Sequence, residues 1–111
     1  MRIEFDIPKH EILINNVDLL SKKFKSSQTA DDILATIAVL RAADSLFDVP
    51  RAYRPHPLQG EYKGLFAVDV DRKNRMIFKP NHSDDLSYRI DNYKTITSII
   101  LIDIYKNYHR K

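Results

Sequence analysis

Residues 54–75 read RPHPLQGEYKGLFAVDVDRKNR, and this stretch joins a stiff turn to a predicted β-hairpin. Pro55 and Pro57 each fix φ and bias the residue before them toward extended backbone, so His56 lies in an ordered segment. Alternating apolar residues follow over 65–71, and a polar tripeptide separates them from a second predicted strand over 75–79. The stretch therefore predicts a histidine held beside two strands, and the nearby arginines and lysines favour binding of a phosphate.

The length of 111 residues predicts a single domain spanning 1–111, and a chain of this size buries roughly two-thirds of its unfolded surface. Hydrophobic residues make up 43% and charged residues 30%, a balance that argues against general disorder. The chain has no cysteine, which excludes disulfides, thiolate zinc sites and cysteine nucleophiles. The sequence also lacks an apolar run of membrane-spanning length and a secretory signal at its start. We therefore expect a cytoplasmic protein with no membrane partner.

The charge is distributed unevenly along the chain. Residues 1–53 hold 7 Lys and Arg against 8 Asp and Glu, whereas residues 54–111 hold 11 against 7, giving −1 and +4 and the overall +3. A mildly basic second half is compatible with a polyanionic partner. The charge alone does not decide between kinds of partner.

The rest of the chain predicts an α+β fold. A half-buried strand is expected over 2–7, followed by an amphipathic helix from His10 to about Phe24 and a second helix from the N-cap Thr29 to about Leu46. After the hairpin we expect a long loop over 81–95, with a short extended piece around 86–90. The β-branched run 96–104 is apolar on both faces and reads as a central strand. This order predicts a small twisted β-sheet with two N-terminal helices packed on one face, and the other face partly open.

Candidate chemistry lies on the second predicted strand and in the proline turn. Arg75 and Lys79 share one strand face, while Met76 and Phe78 point the other way into the expected core. A guanidinium suits forked recognition of a phosphate, although both cations could simply be solvated. The ring of His56 could merely pack in its turn, and the terminal residues 108–109 could be a frayed tail.

A metal site is a weaker interpretation of the sequence. Asp69, Asp71 and Asp103 are carboxylates that could hold a metal ion, but they lie on predicted strands without the loop spacing typical of calcium sites. We therefore expect no metal and no cofactor.

Several segments together resemble the HigB branch of the RelE/ParE-type toxins of type II toxin–antitoxin systems. The resemblance covers about residues 30–109 and rests on motifs that occur in the family's order. These motifs are LRAADSLFDV over 40–49, RPHPLQG over 54–60, GLFAVDV over 64–70, NRMIFKP over 74–80 and ILIDIYKNYH over 100–109.

The resemblance implies a metal-independent endoribonuclease that cuts messenger RNA on the ribosome and is silenced by a helix-turn-helix, HigA-like antitoxin. It assigns catalytic roles to His56, Arg75, Tyr108 and His109. Asn107 stands where the family often has aspartate, and an amide cannot act as a base. Further RNA contacts are expected from Arg54, Lys63, Arg72, Lys73, Lys79, Asn107 and Arg110.

RNA carries its own nucleophile, the 2′-hydroxyl, so the hypothesis needs a base, an acid and positive charge at the phosphate. Either His56 or His109 would take the 2′-hydroxyl proton while the other assists the leaving 5′-oxygen, with Arg75 at the phosphate and Tyr108 positioning the nucleotide. Two alternatives stay open: a ParE-like toxin that poisons DNA gyrase without cutting RNA, and an inactive interaction module of the same fold.

Overall fold

The computed structural model describes residues 1–83 and 91–107 and contains three α-helices and a five-stranded sheet in that part of the chain. The strands are β1 (Arg2–Phe5), β2 (His56–Pro57), β3 (Phe66–Asp69), β4 (Asn74–Pro80) and β5 (Ser98–Asn107). The helices are α1 (Pro8–Ile14), α2 (Val17–Phe24) and α3 (Ser27–Ala42).

The sheet has the strand order β1-β5-β4-β3-β2. β5 pairs with β1 in parallel, and all other neighbours are antiparallel. The run predicted as a central strand is therefore paired on both sides, and it extends three residues further than expected, to Asn107. These features confirm the predicted α+β fold with its helices at the N-terminal end.

The helices differ from the prediction in number and in their starting residues. The single helix expected over 10–24 is wrong, because the chain breaks after α1 and restarts at Asn16, whose side chain accepts a hydrogen bond from the Leu19 N–H at 3.2 Å. The first strand ends at Phe5, two residues earlier than expected, and Pro8 begins α1 at a position that does not need an N–H donor. The N-cap of α3 is Ser26, not Thr29, since the Ser26 hydroxyl accepts from the Thr29 N–H.

One face of the sheet packs against the helices and forms the main core. Phe66 and Phe78 are fully buried there with stacked rings 6.1 Å apart, next to Met76. α3 contributes Ile33 and Ile37 to the same cluster. The predicted inward orientation of Met76 and Phe78 is confirmed, and α3 buries the stripe that its periodicity predicted. α3 ends at Ala42, four residues earlier than expected.

The opposite face, which we call the open face, carries His56, Ala67, Asp69, Arg75 and Ile77. Register assigns them to one side, because directly paired residues of antiparallel strands share a face: His56 pairs with Ala67, Ala67 with Ile77, and Asp69 with Arg75. Its small apolar cluster is built from Leu58, Ala67 and Ile77, with Tyr62, Leu65 and Ile102 packed against them.

Two irregularities on β5 shift its register against β4. The Asp103 carboxylate accepts a hydrogen bond from the Tyr105 N–H at 3.2 Å at the irregular site, which gives Asp103 a structural role. The extended piece predicted around 86–90 lies outside the described residues. Within the described part of the chain, no helix is both long and apolar enough to cross a membrane.

Candidate active site on the open sheet face

Arg75 lies on β4 at the centre of the candidate site. Its strand partners are Asp69 on β3 and Lys106 on β5. Its side chain is only 14% exposed, and its Nε lies 3.2 Å from Asp69 Oδ1. This contact is an ion pair whose geometry does not make a hydrogen bond. Arg75 Nη1 and Asp69 Oδ1 are both buried, and neither has a hydrogen-bond partner among the described residues. A buried charged donor without an acceptor is costly, so Arg75 is a strong candidate to receive an anionic ligand.

Arg54 brings a second guanidinium to the same carboxylate. Its Nη1 lies 3.7 Å from Asp69 Oδ2, and its side chain is 63% exposed. Its backbone adopts φ +49°, a left-handed conformation that is unfavourable for a residue with a side chain. Strained backbone of this kind concentrates at functional sites. The Asp69 carboxylate is therefore in contact with two guanidinium groups, that of the half-buried Arg75 and that of the exposed Arg54.

His56 is fixed in a defined tautomer by the turn that the two prolines stiffen. Its Nδ1 lies 2.6 Å from the Arg54 carbonyl oxygen. A carbonyl can only accept a hydrogen bond, so Nδ1 donates, and in the neutral ring the lone pair is then on Nε2. His56 is half-buried, which agrees with an ordered turn.

His56 and Arg75 lie on the same face with one strand between them. Two strand spacings and a two-residue offset along β3 separate their backbones by roughly 12 Å. At this separation of the backbones, side chains of the length of arginine and histidine can both reach one sugar and its phosphate placed between them. The structure thus places two of the four predicted catalytic residues on one surface.

The other predicted cations have varied positions. Lys79 is exposed on β4, and Arg72 and Lys73 are exposed at the tip of the β3–β4 hairpin. Lys63 lines a groove of about 270 Å³ beside the proline turn, together with Leu58 and Gln59. Asn107 is exposed at the end of β5, opposite Asn74. Tyr108, His109 and Arg110 lie outside the described residues.

The turn before Arg75 is organised by Asp71. Asp71 Oδ1 accepts hydrogen bonds from the N–H groups of Lys73 at 2.9 Å and Asn74 at 2.8 Å, and the Tyr105 hydroxyl of β5 donates to Oδ2. Burial acts to raise the pKa of Asp71, but the hydrogen bonds from Tyr105, Lys73 and Asn74 outweigh it, and the pKa is lowered. Burial and the bond to Asp71 raise the pKa of the Tyr105 hydroxyl above its usual 10.0.

Sequence reasoning missed three members of this region. Asp69 was set aside as part of an improbable metal site, and its pairing with Arg75 was hidden because the predicted hairpin placed strand residues as far as Asp71. Asp71 was set aside likewise, although an Asp followed by polar residues is a usual turn signal. Lys106 was missed because β5 was expected to end at residue 104, and the two irregularities of β5 break the alternation that would have been needed to place it.

Two further histidines lie outside this cluster. His82 is half-buried and accepts a hydrogen bond from the Thr97 N–H at 3.3 Å, and His10 is half-buried on α1. Among residues 1–83 and 91–107, no three His, Asp or Glu side chains come together in a group that could hold a metal ion.

The fold was compared with known proteins. No family model and no curated protein matches the sequence. Among solved structures, the YoeB/ParE toxin from Agrobacterium tumefaciens matches with a TM-score of 0.54 at 12% identity, covering 98% of this chain and 100% of that one. A YafQ mutant from E. coli matches with a TM-score of 0.49 at 18% identity, covering 93% of this chain and 90% of the other.

The chain has the fold of a YoeB/ParE toxin. A likeness at this identity shows the fold, and it agrees with the α+β architecture predicted from the sequence. In this toxin fold the helices cover one side of the sheet, and the open face carries the Arg54–Asp69–Arg75 cluster and His56.

Proposed function

We propose that this protein is the toxin of a type II toxin–antitoxin system, of the HigB branch, and that it is a metal-independent endoribonuclease acting on messenger RNA. The observation that carries the proposal is that His56 and Arg75 lie on the same face of the sheet, with one strand between them. His56 donates through Nδ1, which leaves Nε2 as a base, and Arg75 Nη1 is a buried donor that has no acceptor among residues 1–83 and 91–107. A base and a fixed cation are the two groups that cleavage by a 2′-hydroxyl needs first.

The reaction begins when His56 Nε2 takes the proton of the 2′-hydroxyl and the oxygen attacks the adjacent phosphorus. The bond from phosphorus to the 5′-oxygen breaks, leaving a 2′,3′-cyclic phosphate on one product and a 5′-hydroxyl on the other. Arg75 stabilises the charge that builds on the phosphoryl oxygens. We assign the proton for the leaving 5′-oxygen to His109 and positioning of the nucleotide to Tyr108, following the family resemblance.

The surrounding cations are assigned to the flanking RNA. The groove beside the proline turn has an apolar wall that includes Leu58 and is also lined by Lys63 and Asp91. We assign one base to the apolar wall and its phosphate to Lys63, on the side away from Asp91. The exposed cations of β4 and the hairpin tip extend the basic surface. We assign these further RNA contacts to Arg54, Lys63, Arg72, Lys73, Lys79, Lys106, Asn107 and Arg110.

The cellular setting of the proposal follows from the resemblance. We propose that the protein acts in the cytoplasm on messenger RNA bound to the ribosome, and that a helix-turn-helix, HigA-like antitoxin silences it. A small helix-turn-helix protein encoded beside this gene, co-purifying with this chain and restoring growth, would support that assignment.

The decisive experiment compares His56→Gln and Arg75→Gln with the wild-type chain after tightly controlled induction without an antitoxin. We expect the wild type to arrest growth and to create new 5′ ends in transcripts, and each variant to lose about 10²-fold or more of the cleavage rate. His10→Gln is the matched control, because it makes the same substitution on α1, and it should cleave like the wild type.

Each other outcome points to a different protein. Full cleavage by both variants at matched expression would overturn the catalytic assignment. Growth arrest with a DNA-damage response and no new transcript ends would favour a gyrase poison. No growth arrest by the wild type would favour an inactive interaction module.

A further inference from the structure

We infer that Asp69 is a charge-selecting residue of the proposed RNA site, which favours an internal phosphodiester over a terminal phosphate. The inference rests on the proposed function and adds a substrate preference to it. Asp69 lies within 3.2 Å of the Arg75 guanidinium and 3.7 Å of the Arg54 guanidinium, so any phosphate that binds these cations must share them with a carboxylate.

Strand pairing holds Asp69 beside Arg75. It lies on β3 directly opposite Arg75, and its side chain is only 19% exposed. Both guanidinium groups keep their charge at all accessible pH values. The three side chains in contact therefore carry two positive charges and one negative charge, which leaves a single net positive charge for a ligand.

The carboxylate of Asp69 discriminates between ligands by their charge. An internal phosphodiester carries one negative charge, whereas a terminal phosphate at neutral pH carries close to two. The second charge of a terminal phosphate meets the repulsion of Asp69. Lys106 lies on the other side of Arg75, across β5, and attracts either ligand, but it does not remove the repulsion by Asp69.

The size of the preference follows from the distance. A unit charge roughly 6 Å from a carboxylate is disfavoured by about tenfold in affinity at a dielectric constant between those of water and a protein surface. Removing the charge of Asp69 should therefore raise the affinity for a monoanion by about tenfold. The affinity for a dianion should rise by a further factor of about ten. The ratio of the two affinities reports Asp69 itself, because any general loosening of the site acts on both ligands.

The test uses Asp69→Asn, which keeps the shape of the side chain and an oxygen toward Arg75 while it removes the charge. Two probes share the adenine base: 5′-adenosine monophosphate, a dianion near pH 7.5, and the 2′-deoxy dinucleotide of adenine, a monoanion that cannot be cleaved by this chemistry. Affinities of the full chain are measured by NMR titration or calorimetry at fixed ionic strength. Asp44→Asn, an exposed carboxylate just beyond the end of α3, is the control for overall charge.

We expect Asp69→Asn to raise the affinity for the monophosphate about tenfold more than the affinity for the dinucleotide, and Asp44→Asn to leave the ratio at the wild-type value. Asp69→Ser removes the same charge with a smaller polar side chain and should shift the ratio in the same direction, which keeps the test informative if Asp69→Asn does not fold. An unchanged ratio in folded Asp69→Asn or Asp69→Ser would overturn the role of Asp69 while leaving the RNA site intact. Wild-type protein that binds neither probe would overturn the RNA site as well.

Discussion

The two faces of the sheet are built from the same strands but are held by different forces. On the helix-covered face, alternate residues of β3 and β4 such as Phe66 and Phe78 are fully buried. On the open face, the intervening positions carry the small buried cluster of Ala67 and Ile77 and, beside it, the ion pair of Asp69 and Arg75 next to Arg54. Stability therefore depends chiefly on the first face, and the proposed chemistry on the second. Substitutions on either face can test this separation.

The largest effect is expected from Phe78→Ala on the covered face. Removing a fully buried ring that stacks on Phe66 should lower the free energy of unfolding by about 3–5 kcal/mol. Lys79→Ala, at the next residue and on the open face, should change it by about 0.5 kcal/mol or less. Urea unfolding followed by circular dichroism measures both. Equal losses of unfolding free energy in the two variants would mean that stability does not depend chiefly on the helix-covered face.

A smaller effect is expected from Tyr105→Phe, where the two regions meet. The ring packs edge-on against Phe24 at 5.0 Å and is retained, while the hydroxyl that donates to Asp71 is lost. We expect a loss of about 1 kcal/mol, the usual net value of one such hydrogen bond near the surface. The same unfolding experiment measures it, and an unchanged midpoint would show that Asp71 holds its turn without Tyr105.

The difference in unfolding free energy between the wild type and Tyr105→Phe should depend on pH, and the acid and alkaline ranges report on Asp71 and Tyr105 separately. The pKa of Asp71 is lowered below 3.8 in the folded state, so its stabilisation is complete above that value and is lost as the pH falls through the folded pKa. The pKa of Tyr105 is raised above 10.0, so its contribution is complete below 10.0 and is lost as the pH rises through the folded pKa. The stability of wild type minus Tyr105→Phe should therefore form a plateau between about pH 4 and pH 10 that falls on both sides.

Tyr93→Phe is the control for this profile. Burial alone raises the pKa of Tyr93, whose ring packs edge-on against Phe66. The difference in unfolding free energy between the wild type and Tyr93→Phe should fall only as the pH rises above about 10. A difference for Tyr105→Phe that stays flat on the acid side would contradict the proposed coupling to Asp71.

The smallest effect on stability is expected from glycine substitutions at two cations whose φ is positive, Lys25 at +55° and Arg54 at +49°. Lys25 ends α2 in a left-handed cap, and glycine there should stabilise the fold by about 0.5–1 kcal/mol without changing RNA cleavage. Arg54→Gly should gain a similar stability, since its exposed ion contact contributes little to folding, but it should lower RNA cleavage. Thermal melting and a cleavage assay on the same samples give the comparison. Unimpaired cleavage by Arg54→Gly would exclude Arg54 from the site.

Local sequence signals determined much of this molecule. The alternation in the hairpin and the two prolines around His56 were enough to predict the covered face, the histidine turn and the position of Arg75 on the opposite side. These features follow from backbone geometry and the period of apolar residues, which act over a few neighbouring residues.

Only the tertiary structure decided the pairings between distant segments. The register that sets Asp69 against Arg75, the hydrogen bond between Asp71 and Tyr105, and the approach of Arg54 to Asp69 all join residues whose local patterns carry no sign of each other. A one-residue shift in register would turn these side chains to the other face, and the register is fixed by which face is buried against the helices. The sequence by itself thus determined the elements and their apolar faces, whereas packing of those faces decided which charges meet.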